Sequence, residues 1–224
     1  IWGTSSSWTL TALPLFVWMG EILFRTRLSE NLFKGLSPWM QKLPGGLIHV
    51  NVVGCALFAA ISGSSAATVA TVGKMSIPEL RKRNYPEKIL LGSLAGSGTL
   101  GLLIPPSIIL IIYGVAVQES IAKLFIAGII PGIMIALIFM SYVIIWSLIN
   151  KKDMPKIIEE YSFLEKIKRS KQLLPVIILI SAVIGSIYTG IATATEAASL
   201  GVVGALILSY FQKSLNLETF KSSL

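Results

Sequence analysis

Residues Gly92–Tyr113 read GSLAGSGTLGLLIPPSIILIIY. The run is apolar enough for a bilayer, yet its middle holds Gly96-Ser97-Gly98-Thr99, Gly101 and then Pro105-Pro106-Ser107. Two adjacent prolines supply no N–H, so a continuous helix would leave the carbonyls of Gly101 and Leu102 without partners. An unpaired carbonyl in hydrocarbon costs on the order of several kcal/mol, so such a break persists only where protein, water or an ion satisfies it. Beside the hydroxyls of Thr99 and Ser107, free carbonyls would form a neutral, oxygen-rich site suited to a hard cation. The plainer alternative is a proline kink in an ordinary membrane helix.

Composition sets the class. Of 224 residues, 54% are hydrophobic and only 13% charged, and the mean hydropathy is +0.76. Those values exclude a soluble globular domain and fit an all-α polytopic membrane protein. The formal charge of +8 does not point to nucleic acid, because the basic residues sit in short runs between apolar segments, as in cytoplasmic loops. The single cysteine, Cys55, builds no disulfide framework, and His49, the single histidine, has no partners for a metal site and reads as a helix-end residue. The chain opens at Ile1 without an initiator Met or a charged leader, as a piece of a longer protein would.

Residues 1–46 comprise a first membrane segment, Trp8–Phe24, and a partly amphipathic connection with Arg25, Arg27, Lys34 and Lys42 against Glu30. Residues 47–73 are apolar but interrupted by Ser62-Gly63-Ser64-Ser65, four small residues that favour turns and caps over a helix interior. Next comes Lys74–Lys88, with Lys74, Arg81, Lys82, Arg83 and Lys88. A single crossing over 47–73 would put two basic loops on opposite sides of the membrane, which the positive-inside bias disfavours. Two arms of about a dozen residues each are too short to span, and as a re-entrant hairpin they place both loops in the cytoplasm. A single bent crossing is the alternative.

Ile89–Tyr113 then crosses outward through the break, completing a unit over 74–123 with the outer connection Gly114–Lys123. Leu124–Ile149 returns, with Gly128 and Gly132 spaced for close helix contact. Asn150–Gln172, which closes the 124–172 unit, carries Lys151, Lys152, Lys156, Lys166, Lys168, Arg169 and Lys171 and suits a helix lying on the membrane surface. In 173–224, Leu173–Tyr188 crosses outward and Ala197–Phe211 returns, leaving Lys213 and Lys221 inside. Every basic connection then falls on one side. Thr193 and Glu196 have capping-box spacing, a structural reading that precedes any proton-carrying role for the carboxylate.

No catalytic constellation is present. Ser62, Ser64 and Ser65 have no candidate base, GxSxG is absent, and Gly96–Gly101 matches neither a P-loop nor a dinucleotide fingerprint. What remains is a pair of breaks that present hydroxyls, free backbone groups and glycines. The N-terminal N–H groups of the hairpin's second arm can face an anion, and the carbonyls around Gly101–Pro105 can face a cation. A cavity offering both suits joint binding of a small carboxylate and Na⁺.

Several strings resemble, in order, the large membrane subunit of the tripartite ATP-independent periplasmic (TRAP) transporters. They are Leu13-Pro-Leu-Phe16, Pro44-Gly-Gly-Leu47 with Asn51, Ala60-Ile-Ser-Gly-Ser-Ser65, Gly101-Leu-Leu-Ile-Pro-Pro-Ser107 with Tyr113-Gly114, Leu124 through Gly132, and Thr195-Glu-Ala-Ala198 with Gly201. The resemblance implies a secondary transporter of the ion-transporter superfamily in the bacterial inner membrane, built from two inverted repeats, each with a hairpin and a broken helix. It further implies an elevator movement, Na⁺-driven import of small organic acids such as C4-dicarboxylates or sialic acid, a small membrane subunit and a periplasmic substrate-binding protein. Carried over residue by residue, the site comprises Ser62, Gly63, Ser64, Ser65, Gly98, Thr99, Gly101, Leu102, Pro105, Pro106 and Ser107, with Na⁺ assigned to Ser62, Ser64, Thr99 and Gly101. Family members are roughly twice this length, so a second hairpin and a second break have no counterpart, and one complete half-site is expected. A symporter of the same superfamily that needs no binding protein, an intramembrane serine hydrolase and a membrane scaffold are the competing readings.

Overall fold

A computed structural model describes residues 8–25, 28–155, 161–212 and 220. Arg27, Lys156, Lys213 and Lys221, which the charge pattern assigns to the cytoplasmic side, lie outside the described residues, as does the side chain of Glu30. Ten α-helices follow one another, with no strand among the described residues. They are α1 (Ala12–Phe24), α2 (Leu28–Met40), α3 (Ile48–Ser62), α4 (Ser65–Lys82), α5 (Glu87–Gly98), α6 (Ile108–Val117), α7 (Ile121–Ile149), α8 (Phe163–Ser170), α9 (Leu174–Tyr188) and α10 (Ala194–Phe211). The all-α membrane fold expected from composition is the fold observed.

Length separates these helices by role. With 29 residues, α7 runs for about 43 Å at 1.5 Å per residue, and α10, with 18, is the other single helix among the described residues that is long and apolar enough to cross a bilayer. Helices α8 and α9 are bent by 53° at a short break. By contrast α1, α3 and α6 are apolar but short. Two of these short helices, α3 and α6, flank the two interruptions that the sequence marks.

The first interruption is a hairpin. Gly63 closes α3 in the left-handed region at φ 58°, and Ser64 caps α4 by accepting a hydrogen bond from the backbone N–H of Ala67. The second arm is longer than the apolar stretch that ends at Gly73. It continues to Lys82, so Lys74, Arg81 and Lys82 lie on helix rather than in the loop expected over Lys74–Lys88. The second interruption is a full break, not a kink. Helix α5 ends at Gly98, a 3-10 turn covers Thr99–Leu102, and α6 begins only at Ile108, capped by Ser107.

One apolar core joins the short helices to the long ones. Phe16 of α1, Phe58 of α3, Leu80 of α4, Leu90 of α5, Ile111 of α6 and Phe125 of α7 are all fully buried. In lipid such contacts hold by dispersion and shape fit, because hydrocarbon outside is as apolar as the core. Shape fit is visible where α10 meets α1: a Cβ on Gly201 would lie 2.5 Å from Met19 Sδ. The pair Gly128 and Gly132 lets α7 approach the break itself, since Cβ atoms there would lie 2.8 Å from the Leu103 carbonyl oxygen and 2.9 Å from Ile104 Cγ1. At the other end of the chain, Thr193 and Glu196 form the expected capping box, with Thr193 N–H donating to Glu196 Oε2 at 2.8 Å and Glu196 N–H to Thr193 Oγ1 at 3.3 Å.

Candidate functional site

The hairpin turn and the helix break lie against each other. The backbone N–H of Ile108 donates to the Gly63 carbonyl at 3.3 Å. A Cβ on Gly63 would sit 2.6 Å from the Pro106 carbonyl oxygen, and one on Gly101 would sit 2.8 Å from the Ser64 carbonyl carbon and the Ser65 nitrogen. Only backbone without side chains achieves that proximity, and at Gly63 the positive φ independently favours glycine. Gly98 has the same role one turn earlier, where a Cβ would collide with the Val69 side chain of α4. The Pro105–Pro106 peptide is cis, and both prolines are buried within this crossing.

Around the turn the polar atoms form a local network. Ser62, which is buried, places Oγ 3.0 Å from Thr68 Oγ1 and donates to the Ser64 carbonyl at 3.3 Å. Thr68 Oγ1 donates to the same carbonyl at 2.7 Å, and the Ser64 hydroxyl accepts from Ala67 N–H at 3.4 Å. The Ser65 hydroxyl is sealed from solvent with no hydrogen-bond partner. A buried hydroxyl without a partner forgoes about 1–3 kcal/mol, a deficit that a bound cation would remove. The donors here are neutral oxygens, and among the described residues no group of three or more His, Cys, Asp or Glu side chains could hold a transition metal. This chemistry fits a hard monovalent cation better than zinc or iron.

The break is less open than its prolines suggest. The Leu102 carbonyl, expected to lack a partner, accepts a hydrogen bond from the Ser107 hydroxyl at 2.6 Å, and that hydroxyl in turn accepts from Leu110 N–H at 3.4 Å. One serine thus satisfies the orphan carbonyl and caps the next helix. Of the four residues assigned to Na⁺, the structure brings Ser62, Ser64 and the backbone of Gly101 together. Thr99 is exposed, and its hydroxyl donates to the Gly96 carbonyl at 2.7 Å.

Sequence reasoning missed the layer beneath the turn. Asn51 donates to the Leu90 carbonyl at 3.2 Å and to Ser93 Oγ at 3.0 Å, and Ser97 Oγ donates to the Ser93 carbonyl at 2.6 Å. The two Asn51 bonds, with a further one from Ser97 Oγ to the Asn51 carbonyl at 3.4 Å, tie α3 to α5 inside the core, where Asn51 and Ser97 are fully buried. Asn51 Oδ1 remains without a partner. Helical spacing was the available signal, since Ser93 and Ser97 are four apart and fall on one face. His49 is a helix-end residue as expected, buried in the first turn of α3 with Nε2 2.8 Å from the Pro44 carbonyl oxygen. About 20 Å of helix axis separates it from Ser62, so it cannot serve that hydroxyl as a base.

Comparison with known proteins identifies one family. The family described as "Tripartite ATP-independent periplasmic transporter, DctM component" matches residues 1–224. The chain is 36% identical over 209 residues to the C4-dicarboxylate TRAP transporter large permease protein of Pseudomonas aeruginosa, covering 93% of this chain and 48% of that protein. It is also 36% identical over 205 residues to the ectoine/5-hydroxyectoine TRAP transporter large permease of Ruegeria pomeroyi, covering 89% of this chain and 46% of the relative. Against the sialic acid TRAP transporter permease of Haemophilus influenzae it is 34% identical over 219 residues, or 97% of this chain and 35% of the other. The chain spans about half the length of the curated large permeases it matches.

Proposed function

The chain belongs to the DctM component of the tripartite ATP-independent periplasmic transporters, and we propose that it supplies one half-site of a secondary active transporter that imports small organic acids with Na⁺. The observation that carries this reading is the crossing of two interrupted helices. The Gly63–Ser65 turn rests on the Gly101 backbone through Ser64 and the Ser65 nitrogen, and Ser65 carries a buried hydroxyl without a partner. The positive end of α4 offers N–H groups to a carboxylate, and the carbonyls and hydroxyls of the turn offer oxygen to Na⁺. Ion and substrate would then occupy neighbouring positions, each raising the affinity of the other.

In this reading Ser62, Ser64, Ser65 and the Gly101 backbone hold the ion. Gly63, Gly98, Pro105, Pro106 and Ser107 maintain the crossing, and Thr99 and Leu102 lie on its exposed rim. The relatives' names mention C4-dicarboxylate, sialic acid, ectoine and isethionate, so the substrate class is a small organic acid or zwitterion. The whole transporter would sit in the bacterial inner membrane with a small membrane subunit, separate or fused as the name DctMQ of one relative suggests, and would receive substrate from a periplasmic binding protein. The hairpin would enter and return from the cytoplasmic side, and it would move with α5 and α6 as one body in an elevator-type cycle.

The test is uptake by the full-length protein with its partner subunits in proteoliposomes, screened over organic acids with and without an inward Na⁺ gradient. Uptake that requires both Na⁺ and the binding protein is expected. Uptake without the binding protein would favour the two-component symporter, and uptake indifferent to Na⁺ would remove the ion from the mechanism.

A further inference from the structure

Away from the crossing, α2, the far end of α4 and the α8 region line an open cavity of about 660 Å³, within the roughly 300–1,000 Å³ of small-ligand pockets. Among the described residues, four cations (Lys34, Lys74, Arg83 and Arg169) and two carboxylates (Glu79 and Glu165) line it, a balance of +2. Both carboxylates are engaged. Glu79 Oε2 lies 3.6 Å from Arg83 Nε, and Glu165 accepts from the backbone N–H of Ser162 at 3.0 Å as part of a capping box. Arg169 is held 4.4 Å from the centroid of the Tyr161 ring, and Lys168 lines an adjoining cavity with Arg169 and Lys34. An excess of positive charge in a concave site calls for a multivalent oxyanion.

The surroundings narrow the choice. Helix α8 has basic residues beside an apolar surface, leaving Phe163 67%, Leu164 77% and Ile167 41% exposed. Next to it, Trp39 donates its indole N–H to Ser170 Oγ at 2.7 Å and lies 5.5 Å beneath the Lys166 ammonium. A short helix with this composition beside an amphipathic tryptophan is the arrangement of a membrane–water interface. Free phosphate would satisfy the cations but not the apolar residues next to them. One class of ligand meets both needs.

We propose that this cavity binds the phosphodiester headgroup of an anionic phospholipid, whose acyl chains lie along the exposed apolar residues of α8. The lipid would link the hairpin's second arm, through Lys74 and Arg83, to the surface helix, through Arg169. Neither the ion nor the transported substrate takes part in this contact.

The full-length transporter with its partner subunits, purified in detergent, is incubated with phosphatidylglycerol, phosphatidylcholine or inorganic phosphate, and retained ligand is counted by native mass spectrometry. Phosphatidylglycerol should be retained in preference to phosphatidylcholine and should resist millimolar inorganic phosphate. Each basic residue near an anionic lipid is worth about a fivefold change in affinity, so Lys74→Gln with Arg169→Gln should weaken retention by about 25-fold. Arg169→Lys, which keeps the charge, should retain most of it. Both positions are exposed, and if the double variant fails to elute as a single species, Lys74→Gln alone with its fivefold loss decides. Equal retention by wild type and the charge-removing variants overturns the proposal. So does binding of inorganic phosphate without lipid, which would assign the cavity to free phosphate.

Discussion

The Gly63 carbonyl accepts a hydrogen bond from the backbone N–H of Ile108 at 3.3 Å. This single bond joins the last residue of the α3 arm to the first residue after the break, 45 positions further along the chain. It also satisfies a carbonyl at a helix C-terminus, where intrahelical partners are lacking. Turn and break are therefore one structural unit. A ligand that shifts one of them must carry the other with it.

Gly101→Ala tests this unity. The added methyl would lie 2.8 Å from the Ser64 carbonyl carbon and the Ser65 nitrogen, backbone atoms that cannot swing aside, whereas a Cβ on Gly92 meets nothing within 4 Å. Pushing the contact to ordinary van der Waals distance separates the turn from the break by several tenths of an ångström. Na⁺-dependent uptake by the full-length protein should fall at least tenfold in Gly101→Ala and stay near wild type in Gly92→Ala. Equal uptake by the two variants would show that the crossing tolerates separation.

Ser107 is a stability prediction. Its hydroxyl caps α6 and occupies the Leu102 carbonyl. Removing the cap costs about 1 kcal/mol, and stranding the carbonyl adds about 1–3 kcal/mol. Ser120, the exposed cap of α7, has only the capping bond, to Lys123 N–H at 3.5 Å. Thermal unfolding in detergent should therefore show Ser107→Ala clearly destabilised and Ser120→Ala barely changed. Similar losses at both sites would mean that the Leu102 carbonyl finds another partner.

Topology can be read with single cysteines. Lys42, Lys82, Lys168 and Glu119 are exposed, and Cys55 is buried inside α3, so the native thiol can remain as an unlabelled internal control. A membrane-impermeant maleimide applied outside intact cells should label a cysteine at position 119 and spare those at 42, 82 and 168. After permeabilisation all four should react. Outside labelling at 42 or 82, but not both, would replace the re-entrant hairpin with a through-crossing.

Much of this arrangement was legible in the residues themselves. Ser62-Gly63-Ser64-Ser65 marks the turn because small polar residues compete with helical hydrogen bonding, and Pro105-Pro106 marks the break because two donors are missing. Gly128 and Gly132 announced a close approach, though not that the surface approached would be the backbone of the break. The extent of α4 was not legible, because the apolar pattern stops at Gly73 while helix continues to Lys82, with Glu79 3.6 Å from Arg83 of the C-cap. Nor was the orientation of Thr99, because a 3-10 turn rotates side chains by about 120° per residue rather than 100°. The contact between Gly101 and Ser64 is a tertiary fact, set by packing across nearly forty residues of chain that no local pattern encodes.

The serines of the turn separate an ion ligand from a structural hydroxyl. Ser62 Oγ is bonded within the turn to Thr68 and Ser64, so Ser62→Ala removes protein contacts whether or not an ion binds. Ser65 differs, because its buried hydroxyl has no protein partner to lose. If it ligates Na⁺, Ser65→Ala should raise thermal stability in Na⁺-free buffer, because the unpartnered buried hydroxyl is gone. Apparent Na⁺ affinity should still weaken by about ten- to a hundredfold, the equivalent of one charge-assisted contact worth roughly 1.5–3 kcal/mol. Raising Na⁺ to saturation should restore most of the substrate affinity, since the two ligands are thermodynamically linked. Measuring uptake against Na⁺ concentration for Ser62→Ala, Ser64→Ala and Ser65→Ala of the intact transporter, with melting curves for each, distinguishes the roles. A Ser65→Ala protein that keeps the wild-type Na⁺ curve would take that hydroxyl out of the site, and wild-type curves in all three would take the whole turn out of it.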